Sequence, residues 1–249
     1  MNRFKEINEV SFVIWCYWEG EPMNFNRIKS FELLQQNIGV PVQLVTPENL
    51  SEFVLTDFPL HSAFQNLSVV HRSDYIRAYL LHHYGGGWHD VKATEVSFEN
   101  CWEEFSNSDI WLIGRPELPK GAAPVSLENG EPISMYWDKL ITVPAWIGRK
   151  QTAFSKELLE GIERILDNNY ELLSKYPARH AREKYTKPKN LLHKAFLFLK
   201  KTAEGRNPNY PLEWTLFGNV FHPLILKYQN HISRNLPVDS VKNAGIYHR

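Results

Sequence analysis

Cysteine is scarce. Cys16 and Cys101 are the only two in 249 residues, too few for a disulfide framework, and they read as reduced thiols of a cytoplasmic protein. Excess charge of one sign is also lacking. Lys and Arg number 28 and Asp and Glu 28, so the formal net charge is zero. No global field recruits nucleic acid, and an anionic ligand must be held by local charges. "MNRFKEINEV" has no apolar h-region, so a secretory leader is not expected. The longest apolar runs, "VSFVIWCYW" and "YLLHHY", fall far short of the about 20 residues that span a bilayer. A soluble protein is expected, with peripheral contact at the inner membrane surface left open.

Several catalytic signatures are missing as well. The chain has no "GxxxxGK[ST]", no "GxGxxG" opening a helix, no "GxSxG" and no "HExxH". These absences count against a P-loop, a dinucleotide fingerprint, a nucleophile elbow and a helical zinc site. Adjacent His82 and His83 would point about 100° apart on a helix, so they cannot face one ion. His89 beside Asp90 keeps a metal-dependent hydrolase as a weaker reading.

What is present is an ordinary globular composition, 43% hydrophobic and 22% charged, with eight tryptophans. Residues 10–18 are rich in β-branched and aromatic types and predict a buried strand. "NRIKSFELLQQN" places Ile28, Phe31 and Leu34 on one helical face, and "VQLV" predicts a second strand. "TPENL" predicts a helix start with Pro47 at its first position. "RSDYIRAYLLHHY" predicts a helix with Ser73 as cap and Asp74 in the first turn. Further helices are predicted at "AFSKELLEGIERIL" and "NLLHKAFLFLKK", and the proline-broken tail is expected to wrap over the domain. The alternation indicates an α/β fold with a mostly parallel sheet. One domain over residues 1–249 is expected, with 1–100 as the ligand-binding half and 101–249 as the acceptor-side half and C-terminal wrap.

The stretch "HYGGGWHDVKAT" stands apart. Three glycines precede Trp88, His89, Asp90 and Lys92. On a strand, residues two apart share a face, so Asp90 and Lys92 point together. A carboxylate there suits a divalent cation and a lysine suits a phosphate, although a surface Asp–Lys pair reads equally well. Asp74 and Arg77, at i and i+3, form either an ordinary surface pair or a grip on a ligand.

The ordered set Ser73, Asp74, Arg77, Tyr84, Gly85, Gly86, Trp88 and Asp90, following "VIWCYW", resembles the sugar-binding region of glycosyltransferase family 32 and the capsular polysaccharide synthesis glycosyltransferases. The resemblance covers about the first hundred residues. It implies a GT-A fold with a Rossmann-like sheet, a nucleotide-sugar donor (UDP-sugars favoured), and transfer with retention to a saccharide or lipid-linked saccharide of bacterial surface polysaccharide. It also implies Mn2+ or Mg2+ at a D-x-D motif. Trp15 is then expected to cover the base, and Asp74 and Arg77 to touch the donor. Gly86 and Trp88 line the approach, and Asp90 meets the metal. Lys92 replaces the second aspartate, and a protonated ammonium has no lone pair for a metal. Either Asp90 keeps a metal with help such as His248, or Lys92 itself meets the diphosphate. A non-catalytic nucleotide- or sugar-binding protein is the rival reading. Trp146, Arg149 and Trp214, with His222, are the acceptor-side candidates, and no residue is singled out as catalytic.

Overall fold

The computed structural model describes residues 4–239; His248 lies outside them. Residues 10–18 do not form one strand. Asn8 and Glu9 both take positive φ, 50° and 64°, and turn a hairpin of β1 (Glu6–Ile7) and β2 (Val10–Ser11). The apolar run resumes as β3 (Ile14–Tyr17). Helix α1 (Phe25–Asn37) begins where the Asn24 side chain accepts from the Arg27 N–H, and β4 (Val42–Val45) follows. "TPENL" makes no α-helix, only a 3-10 turn at Leu50–Glu52.

Helix α2 (Val69–His83) is capped by Ser68, whose side chain accepts from the His71 N–H. Ser73 is therefore not the cap, and Asp74 sits a turn deeper than expected. The chain continues as β5 (Gly86–His89), a 3-10 helix at Glu99–Ser106, β6 (Leu112–Pro116) and β7 (Ile141–Gly148). Then come α3 (Ala153–Asn168), α4 (Tyr170–Lys175), α5 (Leu191–Ala203) and α6 (Leu216–Lys227). The proline-bearing tail does more than wrap. Helix α6 packs its Phe217, Phe221 and Ile225 into the core, and β8 (Ile232–Ser233) joins the sheet.

The six-stranded sheet has the order β4-β3-β5-β7-β6-β8. Five strands run one way and β7 runs against them. Helices α2, α3 and α6 cover one face, over Trp15, Trp88 and Trp146. Helix α1 and the 99–106 turn cover the other, over Ile14, Cys16 and Ile147. This is the mixed α/β, mostly parallel, helix-flanked sheet that the alternation indicates.

The chain leaves β3 toward one edge through α1 on one face. It returns to the other side of β3 through α2 on the opposite face. Open α/β sheets bind ligands in a crevice at such a reversal, which here falls at the carboxyl ends of β3 and β5.

Candidate functional site

The glycine run belongs to the strand, and its work is done at the amino end of β5. Gly85 and Gly86 have φ of +67° and +92°, conformations that glycine takes without strain. A Cβ on Gly86 would stand 3.0 Å from the Val13 carbonyl oxygen, and one on Gly85 would stand 2.9 Å from the Lys150 backbone nitrogen. The glycines thus let neighbouring backbones close on β5. Gly86 lies at the opposite end of the strand from Asp90, packed against the Val13 and Ser11 carbonyls.

Asp90 follows β5 at the crevice. Trp88 Nε1 donates to its Oδ1 at 3.2 Å, Lys92 Nζ stands 3.0 Å from its Oδ2, and Arg77 stands 3.9 Å from Oδ1. Asp90 and Lys92 do point together, with side chains 27% and 29% exposed, so water reaches them. Burial works against the charge on Asp90, but Lys92 and Arg77, with hydrogen bonds from Lys92 and Trp88, outweigh it and hold the carboxyl at about 2.

Arg77 is the hub behind this pair. It is buried, with its guanidinium carbon 4.8 Å from the ring centres of both Trp88 and Phe217. Its Nη2 reaches Asp74 at 3.2 Å, and Asp74 also accepts from the Phe217 N–H at 3.3 Å. Burial pushes the Asp74 carboxyl up to about 6, with Asp90 adding to the rise and Arg77 and the Phe217 N–H opposing it. Asp74 and Arg77 therefore form a buried bridge from α6 to Asp90. They are not the exposed surface pair that the spacing allowed.

The tryptophans divide. Trp15, Trp88 and Trp146 are register partners on three adjacent strands and are fully buried. Trp15 donates Nε1 to the Gly85 carbonyl at 2.8 Å and is ringed by Phe4, Phe53 and Tyr84. It has no face left for a base, so its expected role is corrected. Trp88 stacks on Trp146 at 6.5 Å and backs Arg77 and Asp90. Trp146, the other ring of that stack, is 1% exposed and has no open face for an acceptor.

Arg149 also moves. Because β7 is antiparallel, its carboxyl end lies at the amino end of β5. There Arg149 donates to the carbonyls of Ile110, Asn8 and Phe105, far from Asp90 along the strand. Trp214 is half-buried under Arg182 and Lys184, three residues before the Phe217 N–H that meets Asp74. His222 is buried, accepts from the Ala123 N–H and faces Glu117 at 3.5 Å. His89 turns to the face opposite Asp90 and packs against Phe98. Its burial, with Arg115 nearby, lowers its pKa to about 4. The two do not share a face, which removes the geometric basis for the hydrolase reading.

The crevice holds residues that the motif pattern did not isolate. Trp18, just past β3, keeps partial exposure, and Arg27 lies over its ring at 5.3 Å. Arg27 also donates to the Val91 carbonyl, between Asp90 and Lys92. Glu19 pairs with Arg72 of α2 and accepts from the Tyr17 hydroxyl at 2.5 Å. A signal existed, since residues 18 and 19 follow directly on a strand end.

A divalent cation does not fit the described donor set. Mn2+ and Mg2+ want several oxygens. The crevice supplies two carboxylates, and both are already engaged: the Asp90 oxygens face Lys92, Trp88 and Arg77, and Glu19 is held by Arg72 and the Tyr17 hydroxyl. Among the described residues no group of three His, Cys, Asp or Glu side chains is gathered for a metal.

Comparison with known proteins bears on this geometry. No curated protein matches the chain. Residues 2–127 match the family of capsular polysaccharide synthesis proteins, a span that runs from the first hairpin through β3, α2, β5 and the Asp90–Lys92 pair. With half of its length matched, the chain belongs to the capsular polysaccharide synthesis protein family.

Proposed function

We propose that this member of the family is a glycosyltransferase of GT-A type, moving a sugar from a nucleotide-sugar, with UDP-sugars favoured, to a saccharide or lipid-linked saccharide acceptor. The family 32 likeness and its retaining stereochemistry belong to this proposal. One observation carries it: a partly exposed carboxylate–ammonium pair, Asp90 and Lys92, stands where the strand order reverses, at the carboxyl end of β5.

The leaving nucleoside diphosphate gains negative charge as the glycosidic bond breaks, and a fixed cation aimed at it lowers the barrier. Lys92 supplies that charge by exchanging Asp90 for a phosphate oxygen. Asp90 stays ionised after the exchange, held by Arg77 and Trp88. Trp18 takes over from Trp15 as the flat face for the base, with Arg27 beside it. Trp214 lies on the acceptor side. No step is routed through a metal, because the described oxygens do not make up a site for one.

A second reading, a non-catalytic nucleotide- or sugar-binding protein, is favoured by the same lysine, which stands in place of a second aspartate. A thermal-shift panel of UDP, GDP, CMP and their sugars, with EDTA and with Mn2+, separates the readings when paired with a donor-hydrolysis assay. The expected result is stabilisation by one nucleoside diphosphate sugar, kept in EDTA, with release of free nucleotide. Lys92→Ala should weaken that binding about tenfold, as loss of one charge-assisted contact does, while changing stability by no more than about 1 kcal/mol. Binding without nucleotide release selects the second reading. Loss of binding in EDTA overturns the lysine's role, and silence with every nucleotide overturns both.

A further inference from the structure

Helix α5 is inside out. Successive residues turn by about 100°, so Leu191, Leu192, Ala195, Phe196, Phe198 and Leu199 fall within one arc of about 160°. An amphipathic helix ordinarily turns such an arc to the core. This one turns it to water: Leu191 is 85% exposed, Leu192 84%, Leu199 69% and Phe196 60%. The opposite, more polar side faces the protein, with Lys201 buried and donating Nζ to the Lys184 carbonyl. His193 and Leu197 are half-buried beside it. A contiguous apolar surface of this kind marks a place where something docks.

The charges around the arc indicate what docks. On the helical wheel Lys194 and Lys200 fall on its two borders. Lys187 and Lys189 lie in the exposed run leading into the helix, and no acidic residue occurs between Glu183 and Glu204. Among the described residues Lys200 pairs with Glu204, an exposed i,i+4 contact at 4.0 Å. In a chain whose charges otherwise balance, this is a local basic rim around an apolar patch. A second copy of the chain seated on this face would bring like-charged rims together. An anionic lipid surface would not. Helix α5 is about 20 Å long by its rise per residue, and no helix among the described residues is long and apolar enough to cross a membrane.

We infer that α5 is a membrane-docking helix lying in the headgroup layer of an anionic bilayer, its leucines and phenylalanines inserted and its rim lysines on lipid phosphates. This does not depend on the transferase reading. The chain between α5 and α6 nevertheless links the two places: Lys184 and Arg182, just before α5, cover Trp214. A lipid-linked acceptor would thus be met beside the acceptor side of the crevice.

The test is co-sedimentation with vesicles of phosphatidylcholine alone and of phosphatidylcholine mixed with phosphatidylglycerol, at low and high salt. The chain should sediment with the anionic vesicles and come off as salt rises. A Leu191→Glu, Leu199→Glu double variant should lose about tenfold or more in partitioning. A Lys187→Gln, Lys189→Gln, Lys194→Gln variant should lose a comparable factor on anionic vesicles only. All five side chains are exposed, so the unfolding midpoint should stay where it is. No sedimentation with either vesicle overturns the inference, as does binding that neither variant reduces. A dimer in light scattering that the leucine variant dissolves, without vesicle binding, assigns the face to a second copy instead. Because sedimentation reads no turnover, its failure is distinct from failure of the transfer reaction.

Discussion

The two ends of β5 carry similar kinds of residue and use them differently. At the amino end, Arg149 is spent on backbone carbonyls, and Lys150 pairs with Glu6 of the first hairpin at 2.6 Å. Gly85 and Gly86 close the gaps between strands. At the carboxyl end, Asp90 and Lys92 meet each other at 3.0 Å with about a quarter of each side chain in water. A guanidinium that satisfies carbonyls cannot leave them without exposing unpaired acceptors, which is costly in a buried setting. An ion pair with about a quarter of each side chain in water has solvent at hand to replace a partner and can exchange it for a ligand. Residue type does not mark the site, and exposure alone does not either, since Lys150 and Glu6 are 31% and 24% exposed; an exposed pair at the carboxyl ends of the strands, where the strand order reverses, does.

The largest test of that contrast falls on Arg77, which supports the exchangeable end without being exchangeable itself. Arg77→Met keeps much of the volume between Trp88 and Phe217 but leaves Asp74 and Asp90 without their shared cation. Breaking a buried ion network from one side costs about 3–5 kcal/mol, read by urea denaturation. A loss below about 1 kcal/mol would break the comparison, because the site would then have no rigid backing. Gly86→Ala comes next. Its φ of +92° and the 3.0 Å approach to the Val13 oxygen should cost about 1–3 kcal/mol. Nucleotide affinity in the folded variant should be unchanged. A fall in affinity with normal stability would move the ligand to the amino end and sharpen the contrast the other way.

These residues also show how far the sequence was legible. Where one local cause acted, it could be read: "VQLV" forms the strand 42–45 and the β3-α1-β4 unit is parallel. Asp90 and Lys92 do meet, but past the end of β5, where a tight turn from the Lys92 N–H to the Asp90 carbonyl brings them together rather than strand alternation. Long-range packing was not legible. The i,i+3 spacing of Asp74 and Arg77 is the same whether the pair is wet or buried, and only α6, arriving from residue 216 onward, decides that it is buried. Trp15 was misjudged for the same reason, since Phe4, Phe53 and Tyr84 close over it from three separate segments. The glycines were legible as a backbone requirement, but whether a ligand or a neighbouring strand makes that approach depends on register. Arg149 was displaced by one fact, the reversed direction of β7, that no local pattern encodes.

The finest test sets Asp74 against Asp90, two carboxylates sharing one arginine. Asp74 is raised to about 6, against about 4 for an unfolded aspartate. Between those values the folded chain binds more protons at this site than the unfolded chain does. Its contribution to stability is therefore fully present below about pH 4 and is lost as the pH rises through about 6. Asp90, held at about 2, works with the opposite sign: its contribution is present above about pH 4 and is lost as the pH falls through about 2. In Asp74→Asn the Phe217 N–H keeps an acceptor, so the substitution adds an offset that does not vary with pH, while the falling limb between about 4 and 6 disappears. Urea midpoints of the two proteins across that window should diverge in favour of the variant as the pH rises. Asp90→Asn should instead lose ground to the parent as the pH climbs from about 2 to about 4. A constant gap in both comparisons would mean that the two carboxylates titrate alike. Arg77 would then not separate a buried support from an exposed, exchangeable partner.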